Sequence, residues 1–200
     1  MNRRLADSLP SPIPRDWGTA SCLDLINSRW SDHLGRGESY DRLPLPKFRR
    51  SFLKRWRFAV DDHDDRKALA DLARLRALLR TVLEGYASGQ SLTLSLKRAL
   101  ESQMNRAPMH LHIERTLTGV RLLPRRSGRP WDVVMAEIAT AAAQLMADRR
   151  TVKRCANPNC TWIFEDESRP HTRRWCNTQV CGSLFNVRRY RIAHANDRKD

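Results

Sequence analysis

Four of the chain's five cysteines fall within 27 residues, as "CANPNC" at 155–160 and "CNTQVC" at 176–181. Two pairs with the same gap, 15 residues apart, constrain a basic tail of 50 residues more than any other feature here. A tetrahedral zinc ion needs four donors about 2.3 Å from one point, and two short loops that each present a pair of thiolates supply them. Asn157-Pro158-Asn159 favours a tight turn inside the first pair. The alternatives are two disulfides, four free thiols in a small core, or His171 in place of one cysteine. A tail of this length has too little core to fold without a staple. The N-terminus "MNRRLADSLPSPIPRDW" carries an Arg pair with no hydrophobic region behind it, unlike a secretory signal. A reducing cytosol is therefore expected, where clustered cysteines more often hold metal than pair with one another. We read Cys155, Cys160, Cys176 and Cys181 as the ligands of one structural zinc, because four thiolates leave no open position for water or substrate. His171 is placed on an exposed turn, and the isolated Cys22 is read as a small buried hydrophobe.

Ahead of this tail the chain has helical periodicity. Pro10, Pro12 and Pro14 mark residues 1–16 as a flexible leader. From Trp17, Leu23, Ile26 and Trp30 recur at helical spacing, with Thr19 or Ser21 as caps, and residues 35–46 read as a loop. Phe48, Phe52 and Trp56 then form a short stripe opposite a basic face; it suits a core helix with a solvated face better than a membrane-surface helix. After the acidic run 61–65, Leu69, Leu72, Leu75, Leu79, Val82 and Tyr86 mark the longest helix, with Gly89 as its stop. Another helix is expected over 92–104. Next, Met109, Leu111 and Ile113 alternate with His110, His112 and Glu114, and Val120 and Leu122 return after Gly119, which predicts a β-hairpin. A helix opened by Pro130 runs to about Arg149 and buries Val134, Ile138, Ala142 and Leu145. The fold class is mainly α with one β-hairpin (α+β) over 17–150, followed over 151–200 by a small zinc-finger module of a short hairpin plus a helix. No apolar stretch approaches the roughly 18 residues of a membrane span.

The last 40 residues carry a resemblance. "CANPNCTWIFEDESRPHTRRWCNTQVCGSLFNVRRYR" resembles the CGNR-type zinc finger, a C-terminal module of bacterial transcription regulators. The shared features are both cysteine pairs, the aromatic-x-Phe step, the Asp/Ser/Arg turn, "RRWC", the Cys-Gly step and "VRRYR". Upstream, "CLDLINSR" and the Leu-rich helix resemble the ABATE domain of a stress-induced transcription regulator family, which usually precedes that finger. The motif's namesake Asn and Arg are replaced by Ser183 and Leu184. If that arginine touches DNA, the contact is weakened or moved here; if it braces the fold, Leu184 can pack against Trp175 or Phe164.

Charge bears on the partner. The formal charge is +15 and the pI about 10.7, with 31 Arg and 6 Lys. That excess favours polyanions, although position has to decide what total charge cannot. Between Ser168 and Asn196 there is no Asp or Glu, while Arg173 and Arg174 precede a metal ligand and Arg188, Arg189 and Arg191 fall on an expected helix beginning near Cys181. Guanidinium groups on a helix fixed by zinc suit phosphates and guanine edges. The expected function is a DNA-binding transcription regulator whose helical domain senses a small-molecule effector or forms a homodimer. The alternative is a protein-interaction module that docks an acidic partner. No Walker A loop, nucleophile elbow or HExxH occurs, and His110 and His112 read as exposed hairpin residues rather than a second metal site, so no enzyme is expected.

Overall fold

The computed structural model describes residues 20–31, 38–60 and 66–194. The leader 1–16, Thr19 as a cap and the acidic run 61–65 lie outside the described residues. In chain order the elements are α1 (Ser21–Ile26), β1 (Arg29–Ser31), β2 (Ser39–Asp41), α2 (Pro46–Arg55), α3 (Arg66–Ala87), α4 (Leu94–Met104), β3 (Met109–Thr116), β4 (Gly119–Arg126), α5 (Pro130–Ala147), β5 (Val152–Arg154), β6 (Ile163–Glu165), a π-helical turn (Thr178–Gly182) and α6 (Ser183–Ala193). Mainly helical architecture with small antiparallel hairpins is the class read from the sequence.

The core forms where α1, α3 and α5 meet. Every residue of α1 is buried, so this one-and-a-half-turn helix is held by packing rather than by its own propensity. It inserts Leu23, Leu25 and Ile26 between the Leu72–Leu75–Leu79 stripe of α3 and the Val134–Ile138–Ala142 stripe of α5. Phe48 and Phe52 of α2 are buried against the same cluster while Lys47, Arg50 and Lys54 are exposed, which is the core-helix reading of that basic segment. Arg49 departs from the pattern: it is buried and donates to the carbonyls of Leu43 and Pro44 at 3.4 and 2.8 Å.

The long helix ends as its sequence indicates. Gly89 adopts a left-handed φ of 72°, Gln90 N donates to Gly85 O at 2.9 Å, and Gly89 N donates to Tyr86 O at 3.0 Å. This is the Schellman closure that glycine permits without steric cost. Leu94–Met104 is capped by Thr93, whose hydroxyl accepts from Leu96 N at 3.3 Å.

Two segments differ from the sequence reading. The first helix stops at Ile26, and Trp30 lies on β1, which pairs antiparallel with β2 through Trp30↔Tyr40. Long-range partners override helical periodicity here. Asn27 turns its amide onto another part of the chain, Arg42 donates to Asn27 O at 3.0 Å, and Arg76 of α3 clamps Ser28 Oγ at 2.7 Å and Asp41 at 2.6 and 2.5 Å. The second difference lies in the tail. The sequence of residues 161–175 reads as an aromatic strand, a turn and a return strand, but Ile163–Glu165 pairs with Val152–Arg154 upstream. The loop joining β5 to β6 therefore carries the first cysteine pair.

Candidate metal centre and basic surface

The β5–β6 ladder fixes both ends of the first cysteine loop. Cys155 N donates to Trp162 O at 2.9 Å, Cys160 N to Asn157 O at 2.9 Å, and Asn159 N to Asn157 Oδ1 at 3.1 Å. The loop thus bends on an Asx turn, as Asn157-Pro158-Asn159 suggests. The second pair uses a different device. Asn177 caps the π-helical turn by accepting from Val180 N at 2.9 Å, and Cys181 N donates to Asn177 O at 3.0 Å. That wider turn brings Cys181 back beside Cys176.

Together the two loops place all four Sγ atoms within 4.8 Å of one another, and all four residues are buried. Cys160 Sγ lies 3.7 Å from Cys176 Sγ, which lies 3.6 Å from Cys181 Sγ. A tetrahedron with metal–sulfur bonds of about 2.3 Å has edges of about 3.8 Å. A disulfide would bring two sulfurs to about 2.05 Å. The donors fit one zinc ion and leave no cysteine of the four for cross-linking. Four thiols this close do not ionise independently: hydrogen bonding with Cys155 holds Cys160 and Cys176 above the ordinary thiol range, while Cys155 falls to about 7 through its hydrogen bond with Cys160. A divalent cation is what makes four adjacent thiolates stable. Backbone and amide donors support them: Cys176 N points to Cys155 Sγ at 3.5 Å, and Asn157 Nδ2 to Cys181 Sγ at 3.7 Å. This is one structural zinc site.

Trp162 and Phe164 seal the site from one side, with Trp175 and Val180 packed against it. Gly182 follows the last ligand where Trp175 leaves little space for a side chain: a Cβ there would sit 3.2 Å from Trp175 Cδ1, and the ring would have to give by a few tenths of an ångström. The Asp/Ser/Arg turn has its own centre in Asp166, which is 1% exposed. It accepts from Lys153 Nζ at 2.7 Å, Ser168 N at 3.1 Å, Ser168 Oγ at 2.5 Å and Arg173 N at 3.0 Å. Burial opposes its ionisation, but Lys153 and the Ser168 donors outweigh that and bring its pKa from 3.8 to about 2. A depressed carboxylate stabilises above its unfolded pKa and loses that contribution as pH falls through the folded one. The finger should therefore loosen between about pH 4 and pH 2. Asp166→Asn should cost about 2–3 kcal/mol at neutral pH by urea titration, and its stability should fall less than the wild type's across that acid window. An unaltered acid profile in the variant would assign the transition to other carboxylates. His171, at φ 47° on the exposed turn, places Nδ1 2.9 Å from Asp166 O and is not among the grouped ligands.

The finger is not tethered loosely to the helical part. Asn27, buried after α1, donates Nδ2 to Ile163 O at 2.7 Å and accepts from Ile163 N at 3.1 Å. Arg80 of α3 donates to Thr161 O at 2.9 Å and to Ile26 O at 2.8 Å. Val152 and Ile163 belong to the main core, whereas Trp162 and Phe164 belong to the zinc core. Sequence reasoning missed Asn27 as the clamp; its signal was an amide set in the apolar "CLDLINSR" run. Cys22 is fully buried in the main core, and burial pushes its thiol up to about 12.

The expected basic residues separate into groups. Arg174 is exposed, with its guanidinium 5.4 Å from the Trp175 ring and 5.9 Å from that of Phe185. Arg173 faces inward: it lies 4.9 Å over Phe164, donates Nε to Trp175 O at 2.9 Å and also donates to Cys176 O. Arg188, Arg189 and Arg191 lie on α6, and their side chains are outside the described residues. On that helix Phe185 meets Trp175 at 4.7 Å, Leu184 is half-buried, and Val187 is 47% exposed. His110 and His112 are exposed on the hairpin, and among the described residues the four cysteines are the grouped metal donors.

With this geometry in hand, comparison with known families gives two matches. The CGNR zinc finger matches residues 151–194, and the ABATE family, described as "Putative stress-induced transcription regulator", matches residues 19–149. The second match spans well over half of the chain. The chain belongs to the ABATE family. In this ABATE protein the CGNR finger follows the helical part directly, and the two cysteine pairs, the Asp166 turn and Gly182 all lie inside the finger's matched span. No curated protein matches the chain. No helix among the described residues is long and apolar enough to cross a membrane.

Proposed function

We propose that this ABATE protein is a cytoplasmic transcription regulator that contacts DNA through the basic surface of its zinc finger. The observation that carries the reading is the acid-free stretch from Arg169 to Ala195, which holds the second cysteine pair and enters a helix at Ser183, two residues after Cys181. The metal and the Trp175–Phe185 contact hold the helix start, so arginines along it would meet a phosphate backbone with little ordering cost. Arg174 adds an exposed guanidinium beside that contact. Arg173 braces the loop that presents it. We assign binding rather than catalysis to the chain.

For the helical domain we propose effector sensing or self-association. A cavity of about 530 Å³ opens at the N-terminal ends of α3 and α5, where Val60, Trp131 and Met135 face the charged set Asp71, Arg106 and Asp132. Its size suits a small ligand. Arg106 bridges the two carboxylates at 2.7 Å each. Burial opposes their ionisation, but Arg106 with Arg74 and Arg129 outweighs it and keeps both carboxylates below the ordinary range.

The test is the salt dependence of binding to a labelled duplex by the full, zinc-loaded chain. Each phosphate contact should add about −0.9 to the log–log slope, so changing Arg188, Arg189 and Arg191 together to Ala should flatten it by about two to three units. Zinc content and helicity should stay constant. Leu184→Arg should tighten binding if position 184 faces DNA, and should destabilise the finger if the half-buried leucine is needed there. An unchanged slope in the triple variant overturns the surface and favours the acidic protein partner.

A further inference from the structure

Among the described residues, nothing covers the apolar face of the β3–β4 hairpin. Its register pairs Leu111↔Pro124, Ile113↔Leu122 and Arg115↔Val120, so Met109, Leu111, Ile113, Val120, Leu122 and Pro124 share one face, with Arg126 at its base and Arg115 at its tip end. His110, His112, Glu114, Arg121, Leu123 and Arg125 occupy the other. Met109, Leu111, Ile113, Val120 and Leu122 are 53–72% exposed, far outside the range of a supported sheet face. The hairpin is held at its base, where Arg126 donates to Met104 O at 2.9 Å, Ala107 O at 2.7 Å and Thr140 Oγ1 at 2.5 Å. A two-stranded ribbon standing alone in water is marginal, and a continuous apolar face of this kind marks an interaction site.

We propose that two copies of this chain pack these hairpin faces together across a two-fold axis. This specifies the self-association half of the function proposed above and rests on that reading; nothing in it depends on DNA. The chemistry of the face selects the occupant. Between Arg126 at the base, which is tied to Met104 O, Ala107 O and Thr140 Oγ1, and Arg115 at the tip end, the span Leu111, Ile113, Leu122 and Pro124 offers phosphate no cluster of cations. Inserted in lipid, the free edges of β3 and β4 would leave backbone groups unsatisfied. A second copy meets neither objection. On a chain of formal charge +15, this face lets two copies approach without burying like charges: Arg126 is tied down internally, and Arg115 stands at the tip end beside Val120. Area agrees as well. An apolar patch of this kind on an ordinary monomer measures about 300–600 Å². Two equal faces would then bury on the order of 1,000 Å² in total, the lower bound for a specific interface. A reversible dimer with a micromolar dissociation constant follows.

Sedimentation velocity on the full, zinc-loaded chain without DNA, from about 1 to 200 µM, reads this directly. The wild type should pass from monomer to dimer across the range. Ile113→Asp with Leu122→Asp, which sets two carboxylates opposite each other in the interface, should raise the dissociation constant at least about 100-fold. Ile113→Thr with Leu122→Thr, which keeps β-branched residues in both strands, should raise it about tenfold. His112→Asp on the opposite face should leave it within about threefold. A wild-type monomer at every concentration, or Asp and Thr variants that associate as tightly as the wild type, would overturn the proposal. The DNA titration is read separately, so a monomer that still binds DNA fails this inference and spares the regulator reading.

Discussion

Chelation of the zinc should unfold residues 151–194 and also lower the stability of the helical domain. The first effect follows from the donor set: four buried sulfurs with edges near 3.7 Å have no stable arrangement once the cation leaves. Structural zinc sites of this kind contribute on the order of 10 kcal/mol at neutral pH. The second effect follows from β6, whose Ile163 belongs to the main core while its neighbours Trp162 and Phe164 cover the metal. If the strand leaves, Ile163 and Val152 are returned to water, at a cost of about 3–5 kcal/mol to what remains. Near-ultraviolet dichroism should report loss of the Trp162 and Trp175 environments, and the melting midpoint of the residual helical signal should fall. Elemental analysis should find one zinc per chain in the wild type and in Cys22→Ser, and none in Cys176→Ser. Full zinc in Cys176→Ser would show that the ligand set is wrong, and an unshifted helical midpoint after chelation would show that the cores are independent.

The next largest effect is expected at Asn27. Its amide bonds both backbone groups of Ile163, the C=O at 2.7 Å and the N–H at 3.1 Å, in a buried position. Asn27→Ala leaves a buried N–H and a buried carbonyl without that partner, which should cost about 3–4 kcal/mol. The carboxylate of Asn27→Asp could still accept from Ile163 N but would face Ile163 O with no donor, so it should cost at least as much. Zinc content should be unchanged, because no cysteine ligand touches Asn27. Two separate urea transitions in place of one would be the signature of a severed clamp. A loss below about 0.5 kcal/mol would mean that Arg80 and the apolar contacts hold the finger in place unaided.

Much of this site could be read before any coordinates. Cysteine spacing carries ligand identity because metal geometry is local: each pair closes its own short loop. The long α3 stripe and its glycine stop were equally legible, since 22 residues repeat one pattern. What escaped is what depends on partners distant in sequence. Trp30 continues a helical period, yet a strand forms there because Tyr40 and the Arg76 clamp lie across from it. The residues Ile163–Glu165 fit a strand well, but local sequence does not say whether the partner lies before or after the cysteine loop. Arg173 looked like its neighbour Arg174 in a basic run, and only the positions of Phe164 and the Cys176 carbonyl distinguish the inward side chain from the outward one.

The clamp between Asn27 and Ile163 spans 136 residues of chain, which matters for how the protein is made. At ribosomal speeds of about 5–20 residues per second, the partner strand follows Asn27 out of the tunnel on the order of 10 s later. During that interval the helical part presents an apolar cleft, with a buried-type amide at its edge, that only the last quarter of the chain can fill. Long separations of this kind slow folding and prolong exposure of sticky surface. The supply of zinc to the emerging tail would then set how long the nascent chain stays open to aggregation, and zinc-starved cells would accumulate insoluble protein even though α3 and α5 hold no metal ligand.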